Sequence, residues 1–407
     1  MTSLPGSLAE RVARAAQAVG TPAYVYDLDG VLAQVDRLRD AFGGRFGVSY
    51  AVKANPNGAL LEALKGRVDS LDLSSGGELE RALRAGWSPD RLTFSGPAKR
   101  DFELARASEV GVGEMVCESV EELDALQALG RPLSVLLRVN PLKVPKGFGA
   151  HMSGKASQFG IDEEHVDAAI DAFAQGRWPD LTLVGIHVYS ASNSLDPDAI
   201  SENVGIMAEL FVRCAERHGR PLHRLIFGSG FGIPYRDGVE PLDVRAVAER
   251  VNPQVDRLRE HPLLAGARCT LEMGRWLVGP NGWFVVRVLR VKHGRGTDIA
   301  ICDGGMNNHL AACGLMGMVV RRNYPMHKVS GASGPVGSYT LVGPLCTTID
   351  TLGVKVELAE LSAGDLVAVG SSGAYGLTAS PTGFISHPAP HEALLVGDTH
   401  RDITGDL

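Results

Sequence analysis

The sequence predicts an α/β fold in which a (β/α)8 barrel is followed by a C-terminal β domain. Between residues 47 and 275, eight short apolar segments alternate with amphipathic helical segments over about 230 residues. After Arg275 the helical periodicity ends, and strand-like segments between Gly and Pro turns replace it. A chain of 407 residues is long enough for both units.

Residues 1–29 precede the barrel pattern. The first 20 residues have the apolar spacing of an amphipathic helix, and PAYVYDLD (22–29) is typical of a strand. We expect this helix and strand to join the β domain.

Residues 30–275 carry the barrel pattern. Helical segments such as 76–87, 120–130 and 162–176 separate the strands. A doubly wound open sheet fits the same alternation, but eight regular units favour a closed barrel. The predicted barrel strands are 47–54, 68–75, 91–96, 114–119, 134–140, 181–188, 224–230 and 269–275.

Residues 276–407 have the composition of a β domain. Their apolar runs are short, and Gly and Pro separate them. The predicted strand segments are 283–292, 297–305, 338–346, 355–361, 365–372 and 392–397.

Composition narrows the class of protein. The net charge of −7 is spread along the chain without a Lys/Arg block, so neither nucleic acid nor a membrane is an expected partner. Six cysteines without a C-x-x-C pair or zinc-type spacing predict reduced thiols, no metal site and a cytoplasmic enzyme. The N-terminus lacks the layout of a signal peptide, and no apolar run approaches the roughly 20 residues of a membrane span.

Lys53 is the first candidate catalytic residue, because it ends the first predicted barrel strand after the apolar residues 50–52. Reactive side chains of (β/α)8 enzymes gather at the C-terminal ends of the strands. Burial among apolar neighbours disfavours the charged amine, so we expect a lowered Lys53 pKa, as imine formation requires. For one lysine alone, a solvated side chain at a strand end is the simpler interpretation.

A glycine-rich segment, GSGFGIPY (228–235), follows the seventh predicted strand. Gly228 and Gly230 let the backbone approach an anion closely, and the Ser229 hydroxyl is a possible donor. Barrels often bind phosphate at this position. An ordinary turn is an equally good explanation of the glycines alone.

The eighth predicted strand ends in EMGR, which contains Glu272 and Arg275. One interpretation is a simple ion pair between these two residues. The other is a cofactor site, in which the carboxylate binds a ring nitrogen of the cofactor and the guanidinium binds its phosphate.

Three residues of the predicted β domain are further candidates. Cys346 and Asp350 lie in GPLCTTID (343–350), and Tyr375 lies in GAYG (373–376). Taken individually, Cys346 is equally well explained as a small buried residue, and Tyr375 as an ordinary aromatic residue of a turn.

The order of these motifs resembles that of the fold-type III pyridoxal-phosphate (PLP) decarboxylases, the family of diaminopimelate, ornithine and arginine decarboxylases. The resemblance implies an alanine racemase-like barrel and a homodimer with shared active sites. It extends over YAVKAN (50–55), SGGEL (75–79), RVNP (138–141), FGI (159–161), GIHVYSAS (185–192), GSGFGI (228–233), EMGR (272–275), DGGMN (303–307), GPLCTTID (343–350) and GAYG (373–376).

The resemblance implies a role for each candidate residue. Lys53 is the Schiff-base lysine, and Glu272 pairs with the pyridine nitrogen. Cys346 and Asp350 reach into the active site of the partner subunit, where Cys346 returns a proton to Cα. The remaining implied cofactor-binding residues are Arg138, His187, Tyr189, Ser192, Gly228, Ser229, Gly230, Arg275 and Tyr375.

Departures from the family pattern bear on the substrate. Tyr189 stands where diaminopimelate decarboxylases have a histidine, and Thr347 stands where an acidic residue typically follows the cysteine. Arg321, Arg322 and Tyr324 lie in a stretch that replaces the usual Arg-Pro segment, and they are candidate substrate-binding residues, although a solvated basic pair is the simpler interpretation.

These variants resemble a side branch that includes decarboxylases of glutamyl groups tethered to a carrier protein. The expected substrate is therefore an acidic, acylated or carrier-linked amino acid. The alternatives are diaminopimelate decarboxylation, a racemase or epimerase of the same fold, which Glu272 disfavours, and a non-catalytic PLP-binding protein.

Overall fold

A closed barrel of eight parallel strands forms the larger part of the molecule. The computed structural model describes residues 4–151, 153–315, 322–331 and 334–406. The eighth barrel strand pairs with the first, as Thr270 pairs with Gly47, and this pairing closes the barrel. In order, the barrel strands are Gly47–Ala51, Ser70–Leu73, Leu92–Phe94, Glu114–Cys117, Leu133–Asn140, Leu181–Val188, Arg224–Gly228 and Arg268–Met273.

Helices cover the outside of the barrel, and polar caps fix where several of them begin. The Ser75 and Ser119 hydroxyls accept hydrogen bonds from the N–H groups of Glu78 and Glu122, one turn into their helices. In the part of the chain that the structure describes, the α-helices are Gly6–Val19, Leu28–Phe42, Gly58–Ala63, Gly76–Arg84, Asp101–Val110, Val120–Gln127, Glu163–Ala174, Pro197–His218, Val244–Glu260 and Arg275–Val278.

The two ends of the barrel differ in chemistry. At the N-terminal end of the seventh strand, the buried Arg224 guanidinium donates to Glu114 Oε2 at 3.0 Å and fills the barrel interior. Arg224 and Glu114 therefore fill the N-terminal end of the barrel. The C-terminal ends of the strands surround a cavity at the other end.

A second, nine-stranded sheet packs beside the barrel. The N-terminal strand Ala23–Asp27 lies inside it, antiparallel to Gly282–Gly294 and parallel to His391–Val396. The chain therefore contributes both its ends to this sheet. Its other strands are Thr297–Cys302, Met326–Lys328, Val336–Val342, Thr351–Ala359, Leu366–Val369 and Thr399–Asp402.

A buried polar cluster joins the second sheet to the barrel. Glu392 accepts hydrogen bonds from the Tyr26 hydroxyl at 2.9 Å and from Asn57 Nδ2 at 3.2 Å. Asn57 also caps the helix after the first barrel strand. Burial raises the pKa of Glu392 to about 7, against a usual value of 4.5.

The predicted fold class is confirmed, since all eight barrel strands and a separate, mostly β unit are present. Two strands of the second sheet, Met326–Lys328 and Thr399–Asp402, were not predicted. Within the described residues, no helix is long and apolar enough to cross a membrane.

Candidate active site

A cavity of about 370 Å³ opens where the barrel strands end, a size typical of small-molecule sites. Residues from the barrel strands and from the second sheet unit line it together. They are Ala51, Lys53, Ser74, Ser95, Gly96, Pro97, Arg138, Phe159, His187, Tyr189, Ser192, Ser229, Phe231, Glu272, Gly274, Arg275, Trp276 and Tyr375.

Lys53 projects into this cavity from a short 3-10 turn, Val52–Ala54, that follows the first barrel strand. Its Nζ lies 3.2 Å from Glu272 Oε1 and 3.6 Å from Asp72 Oδ2. The first strand neighbours both the second and the eighth strands, so residues at their ends meet at the same point of the barrel mouth.

The pKa of Lys53 is raised in the structure, whereas the sequence led us to expect a lowered pKa. Burial lowers the pKa of this amine, but the Glu272 and Asp72 carboxylates outweigh burial and raise it well above its usual value. The apolar run 50–52 in the sequence indicates that Lys53 loses hydration, which lowers its pKa. It gives no sign of Glu272 and Asp72, because these carboxylates come from other strands. Lys53 is therefore a charged ammonium in this site.

Glu272 is a buried carboxylate held from two sides. Its Oε1 contacts Lys53, and its Oε2 lies 3.0 Å from His187 Nε2. Burial alone would raise the pKa of Glu272, but the ammonium and the His187 hydrogen bond lower it below the usual range. Burial also lowers the pKa of His187. The carboxylate is thus fixed in its ionised form at the centre of the cavity.

Tyr189 forms a wall of the cavity beside Lys53. The lysine Nζ lies 5.8 Å from the centre of the Tyr189 ring. A Cβ on Gly228 would approach Tyr189 Cδ2 to 2.4 Å, so only glycine permits this ring position. A flat aromatic surface therefore faces the cavity at the position of the family histidine.

Arg275 and two tyrosines form a second polar group across the cavity. The guanidinium carbon lies 5.4 Å from the Tyr235 ring centre and 4.8 Å from that of Tyr375, and it hydrogen-bonds the Tyr235 hydroxyl. Tyr375 adopts a left-handed backbone with φ of +53° and donates its N–H to Ala54 O at 2.9 Å. Strained backbone of this kind is often found at functional sites.

The glycine-rich segment after the seventh strand is a tight cradle. Gly230 has φ of +65°, and a Cβ there would lie 2.6 Å from Phe148 Cε1 and 2.8 Å from Ala191 O. Ser192 lines the cavity next to this cradle. The Ser229 hydroxyl donates to Glu272 O at 2.7 Å, so its hydrogen is engaged within the protein and not offered to an anion.

Arg138 is fixed by a buried ion pair with Glu118 at 2.8 Å and lies over the Phe159 ring. Glu118 also accepts the backbone N–H groups of Gly96 and Gly160. One carboxylate therefore ties together three segments of the cavity rim.

The loop that carries Cys346 lies outside the lining of its own subunit's cavity. Cys346 is exposed and Thr347 is half-buried. Asp350 is buried, and its two oxygens accept the N–H groups of Met306 at 2.6 Å and Leu345 at 2.7 Å in the same chain. Its carboxylate thus shapes the loop that carries Cys346, and its reach into a partner's site stays a prediction.

Of the candidate substrate-binding residues that the structure describes, Arg322, Tyr324 and Thr347 do not line the cavity. Arg322 is exposed. Tyr324 is buried, with its ring 4.9 Å from that of Tyr235, which itself contacts Arg275. Arg321 lies outside the described residues. The substrate-binding roles of these residues remain predictions.

Asp72, Glu118 and Tyr235, which contact predicted site residues, are among the residues that were missed from the sequence. Asp72 is 3 % exposed near the end of the second strand, and burial together with Glu272 raises its pKa. The signal for Asp72 was available, because an acidic residue interrupts an apolar run there. Tyr235 ends the glycine-rich segment itself.

The residues present fit PLP. A lysine can attach a carbonyl group, a buried ionised carboxylate can face a pyridine nitrogen, and a cation with hydroxyls beside a glycine cradle suits a phosphate. Among the described residues, no group of potential metal ligands competes with this interpretation. The fold and site together define the class of barrel enzymes that use PLP.

The comparisons with known proteins agree. Residues 28–279 match the family model described as pyridoxal-dependent decarboxylase, pyridoxal binding domain. The chain belongs to this family of PLP-dependent amino-acid decarboxylases, which are carboxy-lyases.

Relatives share most of their length with the chain. It is 34% identical to an L-glutamyl-[BtrI acyl-carrier protein] decarboxylase of Niallia circulans, with 92% of this chain and 88% of that protein covered. It is 35% identical to a diaminopimelate decarboxylase of Pseudomonas fluorescens, with 90% and 85% covered. It is 29% identical to a 2-[(L-alanin-3-ylcarbamoyl)methyl]-2-hydroxybutanedioate decarboxylase of Staphylococcus aureus, with 93% and 95% covered.

Solved structures show the same architecture. Diaminopimelate decarboxylase from Helicobacter pylori, complexed with L-lysine, has a TM-score of 0.84 at 26% identity, over 97% of this chain and 96% of that chain. An SrLDC variant in complex with PLP has a TM-score of 0.81 at 27% identity, over 94% of both chains.

Proposed function

We propose that this decarboxylase acts on an acidic, acylated or carrier-protein-linked amino acid, with Lys53 as the residue that holds PLP. The observation that carries the proposal is the contact of the Lys53 ammonium with the buried, ionised Glu272 in a cavity that Arg275 and Tyr375 close on the other side.

The chain's own residues divide the work. Glu272, fixed by His187, holds a negative charge that keeps the pyridine nitrogen protonated. Arg275 and Tyr375, with Ser192 and the glycine cradle, hold the phosphate. PLP supplies, when bound, a sink for the electron pair left at Cα as CO2 departs.

Cys346 returns the proton to Cα from the partner subunit of a homodimer. Two features support this role: Cys346 is exposed, and it does not line the cavity of its own subunit. Asp350 acts as a positioning residue for the loop that presents Cys346. A thiol carried on a fixed loop is a suitable positioned acid.

The substrate class rests on residues that differ from the family pattern. Thr347 removes a carboxylate that would pair with a distal ammonium, and Arg322 adds exposed positive charge. By their names, two relatives act on a carrier-linked glutamyl group and on an amino acid acylated by a hydroxybutanedioate group. Diaminopimelate is the second candidate, because a diaminopimelate decarboxylase is equally similar at 35% identity.

The test is CO2 release across a matched panel of substrates. We expect kcat/KM for an acidic, acylated or carrier-linked amino acid to exceed that for free lysine, ornithine and meso-diaminopimelate by at least about tenfold, or about 1.4 kcal/mol. The Lys53→Ala variant is the control and should release no CO2 from any of them. If meso-diaminopimelate is the best substrate, Tyr189 and Thr347 are neutral variants and the substrate proposal is wrong.

The organisation of the chain supports further proposals. We place the domain divisions between residues 29 and 30 and between 275 and 276, since the last barrel strand ends at Met273 and the next long strand begins at Gly282. We also propose a cytoplasmic location, supported by the six cysteines of the sequence, which show neither a C-x-x-C pair nor zinc-type spacing.

A further inference from the structure

A lysine-bearing loop borders the cavity; it comprises the described residues 141–151 and 153–160 and is called the basic loop below. It contains Lys143, Lys146 and Lys155 and no Asp or Glu, in a chain whose net charge is −7. All three lysines are exposed, and so is the apolar Leu142, at 56 %. The basic loop is therefore a positive surface with an apolar side chain on an otherwise acidic protein.

The two ends of the basic loop lie side by side. Asn140 Nδ2, at the end of the fifth barrel strand, donates to Lys155 O at 3.1 Å. Gly154 N donates to Pro141 O at 3.0 Å, and a Cβ on Gly154 would meet Val144 Cγ2 at 2.9 Å. These contacts place the backbone of Lys155 against the segment that carries Lys143.

The middle of the basic loop is attached to the cavity rim. Gly149 N donates to Ser192 O at 3.1 Å, and Gly147 O accepts from the Ser194 hydroxyl at 3.0 Å. Phe159, near the end of the loop, lines the cavity itself. The backbone next to Lys146 and the end of the basic loop therefore lie at the cavity rim.

Neighbouring carboxylates are occupied by other partners. Glu163 pairs with Arg213 at 2.8 Å and accepts the N–H of Leu142 at 2.8 Å. Asp162 accepts from Asn140 Nδ2 at 2.7 Å. The positive charge of the basic loop thus remains available to a partner.

We propose that the basic loop is the docking surface for an acidic carrier protein that delivers a tethered amino acid into the cavity. This inference rests on the proposed function, since only a tethered substrate brings a protein to the entrance. Complementary charge speeds association and fixes orientation, and both effects weaken as salt rises. A free small substrate would enter the cavity without covering the lysines.

The experiment compares two forms of one substrate, the L-glutamyl thioester of the BtrI acyl-carrier protein and L-glutamyl-pantetheine thioester. For Lys143→Glu/Lys155→Glu, we expect KM for the carrier-linked form to rise at least about tenfold, and KM for the pantetheine form to stay within about twofold. The matched control, Lys292→Glu/Arg295→Glu, reverses two exposed charges at the tip of a hairpin in the second sheet and should change neither.

The remaining outcomes separate the two proposals. Turnover of neither thioester by the wild-type holoenzyme contradicts the carrier-linked substrate, and the docking surface with it. Turnover of both forms with KM unchanged in the lysine variant contradicts the docking surface alone. An equal rise of KM for both forms would mean that the lysines bind the small substrate itself. A changed sedimentation coefficient of the variant would mean that the basic loop contacts a second copy of the chain. Either result overturns the proposal.

Discussion

At the scale of single residues, Gly230 sets the shape of the glycine cradle that we propose holds the phosphate. Its left-handed φ and the closeness of Phe148 and Ala191 leave no room for a side chain. We expect Gly230→Ala to displace the loop and to weaken PLP binding by at least about tenfold, since overpacking and left-handed strain each cost about 1 to 3 kcal/mol. The apparent Kd comes from absorbance titration of the apoenzyme with PLP.

The chain offers a matched control in Gly238. Its φ is +75°, so alanine there is strained in the same way, but no atom lies within 4 Å of the added Cβ. Gly238→Ala should bind PLP within about twofold of the wild-type protein. Equal affinities of the two variants would show that the collision at Gly230 is unimportant for the cofactor.

The site residues that sequence predicted are those with a local signature. Lys53 and Glu272 end strands in recognisable motifs, and the structure brings them to 3.2 Å. The raised Lys53 pKa was not predictable in the same way, because it depends on carboxylates 19 and 219 residues away in the sequence. The pKa of a side chain depends on the charges around it. For Lys53 these charges come from several strands, and their distances are known only once the barrel has folded.

At the scale of secondary-structure elements, Glu392 couples the second sheet to the barrel in a pH-dependent way. Its folded pKa, about 7, lies above the usual 4.5, so its contribution to stability is full below pH 4.5 and is lost as the pH rises through 7. The loss approaches about 3 kcal/mol at pH 8 as an upper bound.

The Glu392→Gln variant tests this coupling, because glutamine keeps the shape and stays neutral. Relative to the wild-type protein, we expect the variant to gain up to about 3 kcal/mol in free energy of unfolding between pH 4.5 and pH 8. Urea unfolding at several pH values measures the difference, with exposed Glu249→Gln as the control. A stability difference that does not vary with pH would contradict the raised pKa.

Element prediction from sequence succeeded where strands are buried on both faces. The strand Leu366–Val369 is buried throughout, and buried strands of this kind are short continuous apolar runs. Met326–Lys328 and Thr399–Asp402 were missed because both are short and consist mostly of polar residues. Thr399–Asp402 is exposed throughout and is held by its pairing with His391–Val396, so it carries no apolar pattern.

At the scale of the whole molecule, the position of Cys346 predicts that one subunit is not a complete enzyme. If Cys346 serves the partner's cavity, Lys53→Ala and Cys346→Ala chains are each inactive, yet a mixed dimer has one intact site. Random mixing should restore up to about a quarter of wild-type activity, since about half of the dimers are mixed. Activity is measured after subunit exchange, which labelled chains verify. Complete exchange without recovery would place both residues in the same site.

The position of strand Ala23–Asp27 inside the second sheet has a consequence for synthesis on the ribosome. Ala23 pairs with Val285 and with His391, so its first partner emerges about 260 residues after it. At roughly 5 to 20 residues per second, this strand waits on the order of 10 to 50 seconds with its hydrogen-bonding edges unpaired. The barrel, complete by Met273, can close during that interval. The start of the chain is thus among the last parts to find its place, and it is the segment most exposed to chaperones and to misassembly during translation.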